Sequence, residues 1–301
     1  MISFVICARD ERPDVLRRTV DGLRATSPGR EREIVVVDDG SVEPVGSLGP
    51  GVEIVRNTVP AGVSRARRQG FALAGGDVLV CLDAHMTFDR NWLSLMLDHV
   101  DSGALLCASF WDYERTVGGF YGADFEWCGE RDYAAGRSPG FRPRHRVRHP
   151  GPGAAEVPMV LGACYMILRS GYHTLGGFSP LFRVWGADEQ DLSARAWLAG
   201  LGARCVADAR VGHLSRKTFP YPVYYDHVEF NQLAFLRSVF EHRTVEVLQR
   251  PFEPLSDPVR TWLAEAGIGQ WRTVVQRARR LTDRELFARI MPGVTMPLQH
   301  R

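Results

Sequence analysis

Lysine is almost missing from this chain: Lys217 stands alone among 37 basic residues, and all the others are arginine. Phosphate contacts are therefore expected from planar guanidinium forks rather than ammonium points. A charge imbalance is missing too. The 37 basic and 35 acidic residues leave a formal charge of +2, which argues for no polyanionic partner. Nucleic acid is accordingly not an expected partner, despite the basic run Arg142–His149. No stretch approaches the roughly 20 apolar residues of a membrane span. The run Ile2–Ala8 is too short for a signal segment and has no basic residues before it. The six cysteines (Cys7, Cys81, Cys107, Cys128, Cys164 and Cys205) form no CxxC pair. Several sit in apolar runs such as Val80-Cys81-Leu82, where a thiol behaves as a small hydrophobe. A reduced, cytoplasmic setting is the expectation. There is no internal repeat, which excludes a repeat architecture.

What is present is an alternation of strands and helices over 301 residues. Ser3–Ala8 reads as a buried strand opening into the polar group Arg9-Asp10-Glu11-Arg12. Pro13 can start a helix that carries Val15, Leu16, Val20 and Leu23 at helical spacing. A second buried strand, Ile34–Val37, ends in Asp38-Asp39-Gly40-Ser41, and Val52–Arg56 is a third. Gly62–Ala74 reads as a helix stopped by Gly75-Gly76. Val78–Leu82 is a fourth strand, ending in Asp83-Ala84-His85, and residues 91–100 are helical. The spacing predicts a parallel sheet flanked by helices, a Rossmann-like α/β fold. In such sheets ligands bind beyond the carboxyl ends of the strands, where Asp10, Asp39, Asp83 and His85 fall.

Residues 112–156 are rich in Gly, Arg, Pro and aromatics with weak periodicity, and read as a mobile or disordered loop. Order resumes in the apolar run Val157–Leu168 around Gly162. A helix follows at Ser193–Leu198, then a strand at Arg204–Val211. Residues 224–248 and the tail from 257 have helical patterns, with an Arg-rich stretch at 272–280. Three parts are expected: a nucleotide-binding half at 1–105, an acceptor and catalytic half at 106–223, and a helical extension at 224–301.

Four constellations carry chemistry. Asp83 and His85, two apart on an extended segment, can point the same way and offer O and N ligands to Mn²⁺ or a similar ion. The plainer alternative is a surface acid and a histidine that never meet. Asp39 can accept hydrogen bonds from a ribose or base edge, or simply form a turn. Asp188 and Glu189, beside Trp185, can deprotonate an acceptor hydroxyl or merely favour a helix N-terminus. His213 can be a third metal ligand and Arg216 can grip a diphosphate. Arg65, Arg67 and Arg68 read as a solvated helix face.

Taken in order, these residues resemble a GT-A fold glycosyltransferase of the family 2 kind. More narrowly they are similar to the catalytic domain of polypeptide N-acetylgalactosaminyltransferases. Asp83-Ala84-His85 matches that family's Asp-any-His motif. The stretch from Gly62 through Arg65 and Arg67 to Gly76-Asp77 and Asp83 also matches, as does Trp185-Gly186-Ala187-Asp188-Glu189. So does Val211-Gly212-His213 through Arg216-Lys217 to Pro220-Tyr221. The resemblance covers roughly residues 1–240, with no counterpart of that family's membrane anchor or lectin domain.

It implies a metal-dependent transfer from a nucleotide sugar, UDP-linked for preference, with Mn²⁺ or Mg²⁺ as cofactor. Asp83, His85 and His213 would hold the metal. Asp10, Glu11 and Asp39 would face the nucleoside, and Arg65 and Arg216 would contact donor phosphates or nearby loops. Gly162 and Trp185 would shape the sugar pocket, with Tyr221 on a closing segment. Asp188-Glu189 stands where those relatives have Glu-Asn. That moves the site toward the acid pair of inverting enzymes and makes Glu189 or Asp188 the candidate base. The acceptor can be a peptide, a natural product or a glycan. Two rivals are a non-catalytic nucleotide-sugar-binding protein and a nucleotidyltransferase. The second usually needs a Gly-rich loop near the first strand, and Arg9–Pro13 contains no glycine.

Overall fold

The computed structural model describes residues 1–292 apart from Arg30, Ala135 and Lys217. The first half is the predicted alternation. Strands β1 (Ile2–Ala8), β2 (Arg32–Asp38), β3 (Val52–Arg56) and β4 (Val78–Asp83) run parallel, with β1 between β2 and β4 and β3 at the edge. The continuous apolar runs of β1, β2 and β4 reflect burial on both faces, whereas β3 at the edge is only partly buried. Phe4 and Ile6 pack on one face with Leu16, Val20 and Leu23 of α1 (Pro13–Thr26). Val5 and Val37 pack on the other with Phe71 of α2 (Val63–Leu73).

The second half makes the sheet mixed. β5 (Met86–Phe88), α3 (Trp92–Leu97) and β6 (Leu105–Asp112) follow β4. Among the described residues the sheet has ten strands. Beyond β4 its main path continues through β11 (Cys164–Leu168), antiparallel to both β4 and β6, then β6, then β12 (Ala203–His213), parallel to β6. The apolar run expected as one unit at 157–168 is thus a strand only over its last five residues. Helices α4 (Arg169–Thr174) and α5 (Asp188–Leu198) lie between β11 and β12. The start of α5 precedes the expected Ser193 because its first turn is acidic and buried rather than apolar.

Residues 112–156 are not a structureless loop. They contain β7 (Gly118–Phe120), β8 (Ala123–Cys128), β9 (Gly140–His145) and β10 (Ala154–Glu156). β8 and β9 form a separate antiparallel ribbon. Its strands are short and its outer face is charged, which weakens any periodicity. Its inner face is aromatic: Phe125, Trp127 and Phe141 interlock. The ribbon rests on α6 (Tyr225–Val239) through Phe141 and Phe235. Then come α7 (His242–Leu248), α8 (Asp257–Glu265), α9 (Ile268–Ala278) and α10 (Asp283–Ile290). Trp271 and Phe287 of these helices share one apolar cluster with Val5 and Val35 of the sheet. The C-terminal helices therefore complete the core.

Gly70 lets α2 approach the sheet: an added Cβ would lie 2.3 Å from Val5 Cγ1 and 3.1 Å from Val37 Cγ2. Gly70→Ala is expected to lower unfolding free energy by about 1–3 kcal/mol through overpacking. Urea denaturation with an unchanged m-value is the check.

Candidate metal centre and active site

Asp83 and His85 sit where β4 ends and β5 begins. β12 runs antiparallel to β5 and places His213 opposite Met86, and the Leu214 N–H donates to the His85 carbonyl at 3.1 Å. The three side chains converge from positions 128 residues apart. His85 Nε2 faces His213 Nε2 at 3.1 Å, and His213 Nε2 lies 3.3 Å from Asp83 Oδ2. One ligand atom from each residue falls within a 4.8 Å group.

The donor set fits a divalent cation. His85 Nδ1 lies 2.8 Å from Glu11 Oε2. As the donor there it leaves Nε2 with a lone pair aimed at His213. A carboxylate behind a ligating imidazole fixes its tautomer and ring orientation. Glu11 was expected to face a nucleoside; instead its almost buried carboxylate holds His85 on one oxygen and Arg216 on the other. Burial opposes its charge, but the hydrogen bonds from His85 and Arg216 hold its carboxyl below the usual range. Thr19 of α1 ties down the peptides of the motif, donating to the Ala84 carbonyl at 2.9 Å and accepting from the Met86 N–H at 2.8 Å. Phe110 stacks on His213 with ring centroids 5.2 Å apart.

Arg67 is the main departure from the sequence reading. It does not lie on a solvated face: it is 3% exposed, and its guanidinium fills the space between acids. Nη2 donates to Asp83 Oδ1 at 3.0 Å and to the Gly162 carbonyl at 3.0 Å. Nη1 donates to Asp188 Oδ2 at 3.0 Å and to Glu189 Oε1 at 2.8 Å. Asp83 is half-buried, and desolvation alone would raise its pKa, but His213 and Arg67 hold it far below the carboxylate range. Burial and the neighbouring Glu189 push Asp188 the other way, well above it. One cation among three carboxylates leaves the cluster negative, a further reason for a divalent ion beside it.

The two candidate bases differ in access. The Asp188 side chain is 3% exposed and that of Glu189 23%. Gly162 touches Glu189 directly, since an added Cβ would lie 2.5 Å from Glu189 Oε1. The turn before α5 is unusual: Val184 has φ +50°, Gly186 φ +105° and Ala187 φ +72°. For Val184 and Ala187 this costs on the order of 1–3 kcal/mol each. Trp185 projects from the turn, 42% exposed, with its ring 4.8 Å from Phe219. Phe219 in turn approaches Tyr221, over which Arg9 lies at 4.4 Å. Burial, then the nearby Asp83, push the Tyr221 hydroxyl up to about 12.

Other expected contacts are committed to the protein itself. Asp39 is 4% exposed, and accepts from Asn57 Nδ2 at 2.9 Å, Ala61 N–H at 2.7 Å and Gly62 N–H at 2.9 Å. It orders the loop leading into α2. Asp10, in a left-handed conformation with φ +51°, accepts from the Val42 N–H at 2.7 Å and joins the β1 and β2 loops. Arg65 is exposed and donates to the Pro180 and Leu181 carbonyls at 2.7 and 3.3 Å. It grips a loop, the second of its two expected roles. Lys217, part of the motif after His213, lies outside the described residues.

Arg67, Thr19 and the true partner of Glu11 escaped the sequence reading. A signal existed for Arg67: it falls three residues from Ser64 and Gly70 and four from Phe71, on the buried face of α2. Arg67→Met is expected to cost about 3–5 kcal/mol, because it strands buried carboxylates without their cation. Chemical denaturation at neutral pH measures it.

Glycosyl transferase family 2 matches residues 3–172, and a second family, described as the N-terminal domain of galactosyltransferase, matches 146–217. Polypeptide N-acetylgalactosaminyltransferase 5 of Caenorhabditis elegans is 31% identical over 247 residues, 73% of this chain and 38% of that protein. The human polypeptide N-acetylgalactosaminyltransferase 10 is 30% identical over 239 residues, 73% of this chain and 39% of that protein. The chain thus spans well under half the length of either relative. Among solved structures, GalNAc-T7 with UDP, GalNAc and Mn²⁺ shares the fold. Its TM-score is 0.76 at 20% identity, over 96% of this chain and 56% of that one. The mannosyltransferase PcManGT from Pyrobaculum calidifontis, in complex with GDP-Man and Mn²⁺, is more distant. It has a TM-score of 0.53 at 17% identity, over 99% of this chain and 76% of that one. A mixed sheet of GT-A type and a family match over more than half its length give one answer: the chain belongs to glycosyltransferase family 2.

Proposed function

We propose that this protein transfers a sugar from a nucleoside-diphosphate donor, with UDP the preferred nucleotide, to a hydroxyl acceptor in a divalent-metal-dependent reaction. The observation that carries the reading is the meeting of Asp83, His85 and His213 within a 4.8 Å group, next to the acid cluster on Arg67. The relatives named above transfer N-acetylgalactosamine to polypeptides, which makes a peptide the first acceptor to try, before a natural product or a glycan. Residues 1–105 would bind the nucleotide, 106–223 the acceptor, and helices α6–α10 of the 224–301 extension would brace both. No described helix is long and apolar enough to cross a membrane. A cytoplasmic setting is our reading, supported by six unpaired cysteines.

Asp83, His85 and His213 would hold Mn²⁺ or Mg²⁺, which supplies a Lewis acid to neutralise charge on the departing diphosphate. Glu11 keeps His85 in the ligating tautomer, and Arg67 fixes the Asp83 carboxylate. Arg216, anchored on Glu11, has further N–H groups for a diphosphate oxygen. Asp39 and Asp10 set the loops that would border the nucleoside. Trp185 and Tyr221 would cover the sugar beside Gly162 and exclude water. Glu189 is the reachable acid: Arg67 takes Oε1, and Oε2 has no partner among the described residues, so it can accept a proton from an acceptor hydroxyl. Asp188, buried behind it, would position rather than react.

Four outcomes test this. A Mn²⁺-dependent thermal shift should appear with the true nucleotide sugar, since a ligand bound only to the folded state stabilises it. Asp83→Ala should abolish both the shift and turnover. Full activity of that variant in EDTA would remove the metal from the account. Glu189→Gln should retain the donor-induced shift while transfer falls roughly 10²–10⁴-fold, the worth of a general base. With Glu189 as base the product is inverted, which the anomeric coupling in its proton NMR spectrum reads directly.

A further inference from the structure

Helix α6 buries four polar side chains: Glu229, Asn231, Gln232 and Ser238 are 1%, 0%, 5% and 0% exposed, and Ser238 donates back to the Ala234 carbonyl of its own helix. Two of them serve the β8–β9 ribbon. Glu229 accepts from Arg131 Nε at 2.9 Å and from the Tyr133 hydroxyl at 2.5 Å. Gln232 brackets Phe141, accepting from its N–H and donating to its carbonyl, both at 3.1 Å.

Asn231 is spent elsewhere. Its Oδ1 accepts from the Arg183 N–H at 2.7 Å. Its Nδ2 donates to the carbonyls of Arg183, Trp185 and Gly186 at 2.8, 3.0 and 3.1 Å. One carboxamide therefore satisfies four backbone groups of a single turn. From the opposite side the Val63 N–H of α2 donates to the Val184 carbonyl at 2.9 Å. Held between them are Val184 at φ +50° and Ala187 at φ +72°. Positive φ is disfavoured for any side chain and most of all for a β-branched one. Such a conformation persists only where its surroundings over-determine it. Asp188 and Glu189 are the next two residues along the chain.

We infer that Asn231 is a positioning residue for the sugar transfer proposed above. Its amide holds the turn in the left-handed conformation that aims Glu189 at Arg67 and Gly162 and presents Trp185 at the surface. Without its donors, Val184 and Ala187 relax toward negative φ, and the first turn of α5 swings with them. The inference rests on the proposed reaction, and its test separates the two.

The informative variant is Asn231→Asp, which keeps the shape and the acceptor for Arg183 but removes both donor hydrogens. Turnover is expected to fall on the order of 100-fold, the cost of about 1 Å of misplacement at a reacting group. The Mn²⁺-dependent thermal shift with UDP alone, which lacks the sugar that Trp185 would cover, should stay close to wild type. Adding Val184→Gly to Asn231→Asp should restore much of the turnover, because glycine adopts positive φ without penalty. Gln232→Glu is the reference for a merely structural loss on the same helix. It should lower Tm without a matching fall in kcat. The inference is overturned if Asn231→Asp turns over like wild type. It also falls if kcat drops no more than in Gln232→Glu at equal loss of Tm, or if Val184→Gly restores nothing. Should Asn231→Asp not fold, Asn231→Ser takes its place in the same comparison. A wild-type protein that turns over no nucleotide sugar with Mn²⁺ overturns the proposed reaction, and the inference with it.

Discussion

The acids that face one another at the carboxyl edge of the sheet are joined by one buried guanidinium. Arg67 reaches Asp83, Asp188, Glu189 and the Gly162 carbonyl with two nitrogens. A planar fork can do this where a lysine ammonium cannot, because its donors point in fixed, divergent directions. The arrangement links the candidate metal ligand to the candidate base through a single cation. Any shift of α2 is therefore felt at both. The close contact of Gly70 with Val5 and Val37, which seats α2 against the sheet, belongs to the same constraint.

Around that centre the protein holds its loops with buried polar side chains rather than with regular structure. Asp39 gathers the approach to α2. Thr19 fixes the peptides on either side of His85. Glu11 links β1 to both His85 and Arg216. Each is a hydrogen-bonding group whose loss would leave another buried polar group unpaired, which costs more than the bond itself is worth. The site thus gains rigidity from groups that need touch no substrate.

The C-terminal helices take part in this. α6 supplies Glu229, Asn231 and Gln232 to the ribbon and to the turn before α5, while α9 and α10 close the apolar cluster behind them. The left-handed Val184 and Ala187 are tolerated because the turn is gripped from two sides. Where strain of this kind sits beside reactive groups, pre-organisation is its usual reason.

Much of this was legible in the chain itself. Period and punctuation located β1, β2, β3, β4, α1 and α2, and the acids at the strand ends pointed to the ligand edge. Ordered motifs singled out Asp83, His85, His213 and Glu189. The ribbon at 123–145 was not legible, since short strands with one charged face carry little periodic signal. Nor was Arg67 recognised as buried, although its spacing from Ser64 and Phe71 placed it on the inner face of α2. Composition and local pattern fix which residues can form elements, because those preferences act over a few neighbours along the chain. Which carboxylate meets which cation was decided only by the tertiary structure. Glu11 found His85, Arg67 found Glu189, and Asn231 found the Arg183 turn across long sequence separations, through packing that no local spacing records.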